Sequence, residues 1–116
     1  MTYYRTRGDR EGFAKSAIDH FKKYPSKDAS ELNDIAWTFY EVIDNPSLLE
    51  GGIRLAKKSI KVKKQYSSMD TLAALYKKIG NKKKALKTAK KAIKLAKKSN
   101  EDYSLTEDLL TEIKNM

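Results

Sequence analysis

Few side chains in this sequence are of a type and spacing that does chemistry. There is one histidine and no cysteine, so thiol redox chemistry, disulfide stapling and thiolate zinc sites have no donors here. His20 lies on an expected helix, beside Phe21, and no serine or carboxylate recurs at a spacing that would orient it as a base. It reads as a surface or half-buried structural residue. Asp9 with Glu11, and Glu107 with Asp108 and Glu112, fall at expected helix starts, where negative charge is favourable for electrostatic reasons alone. Gly51-Gly52 has no following Lys-Ser/Thr pair and lies inside a helical pattern, so it is no phosphate loop, and Gly52 is expected to let two helices approach closely. Neither catalysis nor a metal or cofactor is expected from these residues.

Charge is the more distinctive chemistry. The chain has 25 Lys+Arg and 15 Asp+Glu, a net +10, but the excess is local. Residues 1–50 hold seven basic and nine acidic groups, 51–100 hold seventeen and one, and 101–116 hold one and five. Asp70 is the sole acid between Gly51 and Asn100, so this stretch presents a basic surface that favours negatively charged partners. Eleven lysines lie between Lys77 and Lys98, with no arginine and no aromatic among them. Bidentate base contacts and stacking platforms are therefore lacking, and no specific nucleic-acid binding is expected. A solvated outer helix face is the first reading of these lysines, and weak docking to an acidic protein or membrane surface the second. No apolar stretch is long enough to span a bilayer and the opening MTYYRTRGDREG has no signal-peptide core, so no membrane insertion is expected.

The elements that must position these residues are helices. Eleven Ala against two Val, two Pro and five Gly leave little material for a sheet. Ser47-x-x-Glu50, Ser67-x-x-Asp70 and Ser104-x-x-Glu107 read as capping boxes, with Asp28-x-x-Glu31 a weaker one. Stops are expected at Tyr24-Pro25, Asp44-Asn45-Pro46, Gly80-Asn81 and Ser99-Asn100. The expected pieces are a stub at 2–7 and helices at about 10–24, 29–43, 48–64, 68–79, 82–98 and 105–115. Ala85, Leu86, Ala89, Ala92, Ile93 and Ala96 form one apolar stripe among lysines, so a neighbouring helix can pack closely on one face while the other stays wet.

Short helices with one narrow stripe each need neighbours, and the sequence repeats. Met69-x-x-Leu72-Ala73-x-x-Tyr76, Gly80-Asn81 and Ala85-x-x-x-Ala89 resemble the tetratricopeptide repeat, as do Leu32-x-x-Ile35-Ala36-x-x-Phe39 and Gly52-x-x-x-Ala56. An earlier half unit would use Tyr4, a turn at Gly8-Asp9, Phe13-x-x-x-Ala17 and Pro25. The resemblance implies an all-α, right-handed superhelix of helical hairpins: a partial repeat at 1–25, repeats at 28–64 and 66–98, and a capping helix at 104–116. Met69 and Leu32 stand where tryptophan is usual, and Ala89 and Ala56 where an aromatic is. ELNDIAWTFYEV and DTLAALYKKIGNKKKALKTAKKAIKLAKK are also similar to the helical tail of some bacterial thioredoxin-fold envelope proteins. That similarity implies one domain of a longer chain and, if the parent is of that kind, an envelope location; otherwise a cytoplasmic one.

In tetratricopeptide arrays the first helices of successive units line a concave groove. The resemblance places Ser30, Asn33, Trp37, Tyr40 and Glu41 there from the middle unit, and Ser67, Asp70, Ala74, Lys77 and Lys78 from the last. Trp37 and Tyr40 would anchor apolar side chains and the two lysines would hold carboxylates, so the expected partner is a protein or an acidic peptide segment, with a homodimer as another form of partnership. Trp37 packing against a neighbouring helix is the competing reading. So is an accessory structural domain of a thioredoxin-like protein, with no ligand of its own.

Overall fold

The computed structural model describes residues 7–116, and the expected stub at 2–7 with Tyr4 lies outside them, save Arg7. Among the described residues there are six helices and no strand: α1 (Arg7–Lys23), α2 (Ala29–Val42), α3 (Pro46–Val62), α4 (Tyr66–Lys78), α5 (Lys82–Lys98) and α6 (Ser104–Lys114). Each of the expected helices is present with ends displaced by up to three residues. Gly8-Asp9 is not a turn but part of the first turn of α1, where the Asp9 carboxylate suits the helix N-terminus.

The three stronger capping boxes are not formed, and of the weaker one only the forward half is, since the Asp28 amide donates to the Ser26 hydroxyl at 3.0 Å and not to Glu31. Asp28 caps α2, its carboxylate accepting from the Glu31 amide at 3.1 Å. At α3 the cap is Asn45, which accepts from the Ser47 amide, and Pro46 opens the helix instead of ending one. Proline has no N–H to leave unpaired there and its φ is already helical. Gln65 precedes α4 without a side-chain cap, so Ser67 and Asp70 are free for other partners. Asp102, not Ser104, accepts at the start of α6, from the Ser104 amide at 2.9 Å and hydroxyl at 2.8 Å.

Helix ends follow the expected residues more closely. After α4, Gly80 takes φ of 83°, the Asn81 amide reaches back to the Tyr76 carbonyl and the Gly80 amide to that of Lys77. Asn100 does the same after α5 at φ of 57°, with Glu101 bonded to Ala96. Both are Schellman turns, which satisfy carbonyls the helix leaves open. Asn81 then caps α5 through the Lys84 amide, so α4 and α5 fold back on each other across three residues.

The helices pair in chain order. α2 packs most extensively on α3, and α4 on α5; α4 also touches α2, α3 and α6, while α1 rests mainly on α3. The core is centred on Phe39, which is fully buried and meets the Phe13 ring at 5.6 Å between centroids. Burying such a side chain contributes about 1.5–3 kcal/mol. Gly52 lies against it: a Cβ there would stand 2.8 Å from Phe39 Cβ. A Cβ at Gly51 would meet the far end of the Ile18 side chain of α1, a second close approach that the sequence did not single out and a softer one, since that end can turn aside. Ala85, Ala89, Ala92 and Ala96 are all fully buried, as the stripe requires. One polar chain crosses this interior. Ser59 donates to the Ala29 carbonyl at 2.7 Å, and its hydroxyl is 2.7 Å from that of Ser68. With its own hydrogen spent on the carbonyl, Ser59 must accept from Ser68, so the start of α2, the end of α3 and the start of α4 are tied at one point.

Candidate functional site

The middle of α2 and the first turns of α4 and α6 flank an open groove of about 580 Å³, lined by Asn33, Asp34, Trp37 and Thr38 of α2, Tyr66, Ser67, Asp70 and Thr71 of α4, and Asp102, Ser104 and Leu105 at the start of α6. Trp37 and Leu105 form its apolar rim, 38% and 77% exposed. The indole stacks on Tyr40, centroids 4.8 Å apart and planes 28° from parallel. Tyr40 thus stands behind Trp37 and holds it, outside the lining itself. Such a stack fixes the rotamer of a large, half-exposed aromatic, which reduces the entropy lost when a ligand covers it.

The floor is polar. The Thr106 hydroxyl donates to Asp70 Oδ1 at 2.6 Å, and Tyr66, 2.5 Å from Thr106 Oγ1, donates to it in turn. Burial pushes the Asp70 carboxyl up, opposed by the Thr106 hydrogen bond. Burial also pushes the Tyr66 phenol up, opposed by Thr106, with the charge of Asp70 adding to the rise. Asp102, exposed, is held down by the Ser104 amide first and the Ser104 hydroxyl second. Asn33 Oδ1 is buried in the groove wall with no hydrogen-bond partner. The charged side chains of the lining are Asp34, Asp70 and Asp102, and no lysine or arginine is among them.

Of the residues expected to face a ligand, Asn33, Trp37, Ser67 and Asp70 come together here. The others do not. Ser30 lines a separate, more open hollow with Val62 and Lys63. Ala74 is buried between helices, and Glu41 is exposed on α2 away from the lining. Lys77 and Lys78 are engaged in holding the fold. Lys77 Nζ is 3.4 Å from Glu112 of α6. Lys78 donates to the Tyr40 carbonyl, lies 3.6 Å from Asp44 and stands 5.4 Å above the Tyr40 ring. The acidic-peptide expectation, which rested on those two lysines, does not fit this lining.

Tyr66, Thr106 and Asp102 were not singled out by the sequence, and Leu105, which with Leu109, Leu110 and Ile113 reads as the packing stripe of the capping helix, is instead exposed at the groove rim while Leu109 and Ile113 are buried. α6 read as a cap closing the stack, yet its first turn is a wall of the groove. The available signal was the polar run Asp102-Tyr103-Ser104 just before that stripe. Among the described residues no group of three or more His, Asp or Glu is placed to hold a metal ion, and no helix is long and apolar enough to cross a membrane. Comparison of the chain with family models, with characterised proteins and with solved structures gives no match, so its groove is the ground on which a function is read.

Proposed function

We propose that this chain is a non-enzymatic, protein-binding helical module of tetratricopeptide type, and that the groove between α2, α4 and α6 takes an extended peptide segment. The paired order of α2 with α3 and of α4 with α5, the α2·α4 and α4·α6 contacts between first helices, and the Gly80-Asn81 turn support the repeat reading. The observation that carries the binding reading is the half-exposed Trp37, braced by Tyr40 at the groove rim. Beside it, Asn33 lines the groove with its Oδ1 buried and unpaired; a buried polar atom left unpaired costs about 1–3 kcal/mol, which turning the amide outward to a bound backbone would offset. Asp34, Asp70 and Asp102 select a segment with lysine or arginine beside an apolar residue, the reverse of the charge first expected.

Trp37 is the single tryptophan, so its emission reports on the groove directly. A peptide array with basic and acidic members matched in apolar content, followed by fluorescence titration of the bound members, tests the reading. Basic members are expected to bind and shift the emission. Trp37→Ala is expected to weaken them by roughly 30-fold, the effect of losing an anchor of about 2 kcal/mol. Preference for acidic members, or equal binding by Trp37→Ala, overturns it.

A further inference from the structure

We propose that the outer face formed by α3 and α5 is a docking surface for an anionic lipid bilayer, on which the protein lies without inserting. Arg54, Lys57 and Lys61 are exposed on α3 at i, i+3 and i+7, and Lys83, Lys87, Lys90 and Lys94 on α5 at i, i+4, i+7 and i+11. These spacings put each set on one helix face. Both helices flank α4, and Lys57 of the first set and Lys84, which adjoins Lys83 and stands one turn from Lys87, lie over one of its side chains. The nearly buried Tyr76 ring has Lys57 Nζ at 5.9 Å and Lys84 Nζ at 5.6 Å from its centroid. The cations of the two helices therefore form one surface. The groove acids lie on α2, α4 and the start of α6; Glu50, exposed one turn before Arg54, is the one acid on α3 and α5.

This face is arranged against the stability of its own helix. α5 has no acid in its first turn and begins Lys82-Lys83-Lys84, where the helix dipole disfavours positive charge. Lys83 with Lys87, Lys87 with Lys91, and Lys90 with Lys94 are like charges at i and i+4, each a repulsion. Solubility alone asks for alternating signs, as on α1, where Asp19 and Lys23 pair at 3.5 Å. A uniform comb gains only when an opposite charge covers it. The composition also says what kind. Lysine is a strongly hydrated point charge on a flexible stem, suited to a diffuse anionic plane, whereas bidentate phosphate or base contacts call for arginine. α3 and α5 have one arginine, Arg54, and no aromatic, so nothing is provided to stack on or read a base.

The test is sedimentation with phosphatidylcholine vesicles, with and without ~30% phosphatidylserine, at low salt and at ~0.15 M, where screening acts within about 8 Å. Binding is expected on the anionic vesicles only and to weaken as salt rises. Each lysine near such a surface is worth about fivefold in partitioning, so Lys87→Gln/Lys90→Gln/Lys94→Gln is expected to lose roughly 100-fold while melting no lower than the parent. Trp37→Ala is expected to bind vesicles as the parent does, which separates this surface from the groove. Equal binding to neutral vesicles, an unchanged triple variant, or tighter binding to a duplex DNA or RNA at the same salt overturns the proposal.

Discussion

Asp70 serves two purposes at once: it is a charged group in the groove floor and the terminal acceptor of the Tyr66 to Thr106 to Asp70 chain. The two roles separate by substitution. Asp70→Ala removes the acceptor, leaves the Thr106 hydroxyl hydrogen without a partner, and is expected to cost about 1–3 kcal/mol in chemical denaturation. Asp70→Asn keeps an acceptor and removes the charge. Because burial raises the Asp70 pKa in the folded state, the folded protein holds this proton more tightly than the unfolded chain. Its contribution is therefore fully present below the unfolded value of about 3.9 and is lost as pH rises through the folded value. Asp70→Asn is accordingly expected to be at least as stable as the parent at pH 7, and to lose any advantage at acid pH. A deficit for Asp70→Asn as large as that of Asp70→Ala would show that the ionised carboxylate itself is needed. The sequence placed Asp70 on the groove side but paired it with Ser67, three residues away. Its real partner is on α6, 36 residues on, and no local spacing discloses a contact of that range.

At the scale of helices, the turns were more legible than the starts. A Schellman turn is closed by backbone bonds within six residues and needs one position with positive φ, so glycine or asparagine announces it. A helix start is a competition among several nearby oxygens. Asn45 and Asp102 win theirs over Ser47 and Ser104 because each lies upstream and takes the amide two residues on. Two glycines show how differently one residue type is used. Gly80 has open space around it but φ of 83°, so Gly80→Ala is expected to cost about 1–2 kcal/mol from backbone strain alone. Gly52 has helical backbone and no room, its would-be Cβ meeting Phe39. Gly52→Ala is therefore expected to cost about 1–3 kcal/mol by overpacking, in spite of alanine's better helix propensity. Thermal melts of the two variants check both; a Gly52→Ala protein more stable than the parent would mean that α2 and α3 separate at no cost.

For the molecule as a whole, the position of α4 sets the hierarchy of stability. It is packed by α2, α3, α5 and α6, and an unbroken run from Thr71 to Tyr76 is buried, whereas α1 rests on the stack from one side. Amide exchange is expected to be slowest in α4, by a free energy near that of global unfolding, and faster along α1, which has fewer neighbours to hold it. Equal protection of the two would mean that the helices open only together. The all-helical class, the six longer helices and the alanine faces were legible because they follow from composition and a 3.6-residue period. Which helix walls the groove was not, because that depends on how the start of α6 is set against α4, a tertiary relation fixed by Tyr66, Thr106 and Asp70.

The buried hydroxyl chain at Ser59 and Ser68 has a consequence for how this sequence can change over time. Its polarity is fixed, Ser68 giving to Ser59 and Ser59 to the Ala29 carbonyl. Loss of the Ser68 hydroxyl leaves only a spare lone pair on Ser59, while loss of the Ser59 hydroxyl strands the Ser68 donor and takes one partner from the Ala29 carbonyl. A lineage replacing the pair by apolar residues thus has an ordered path, Ser68 first and Ser59 second. The opposite order passes through the less stable intermediate, so descendants retaining Ser59 alone should outnumber those retaining Ser68 alone.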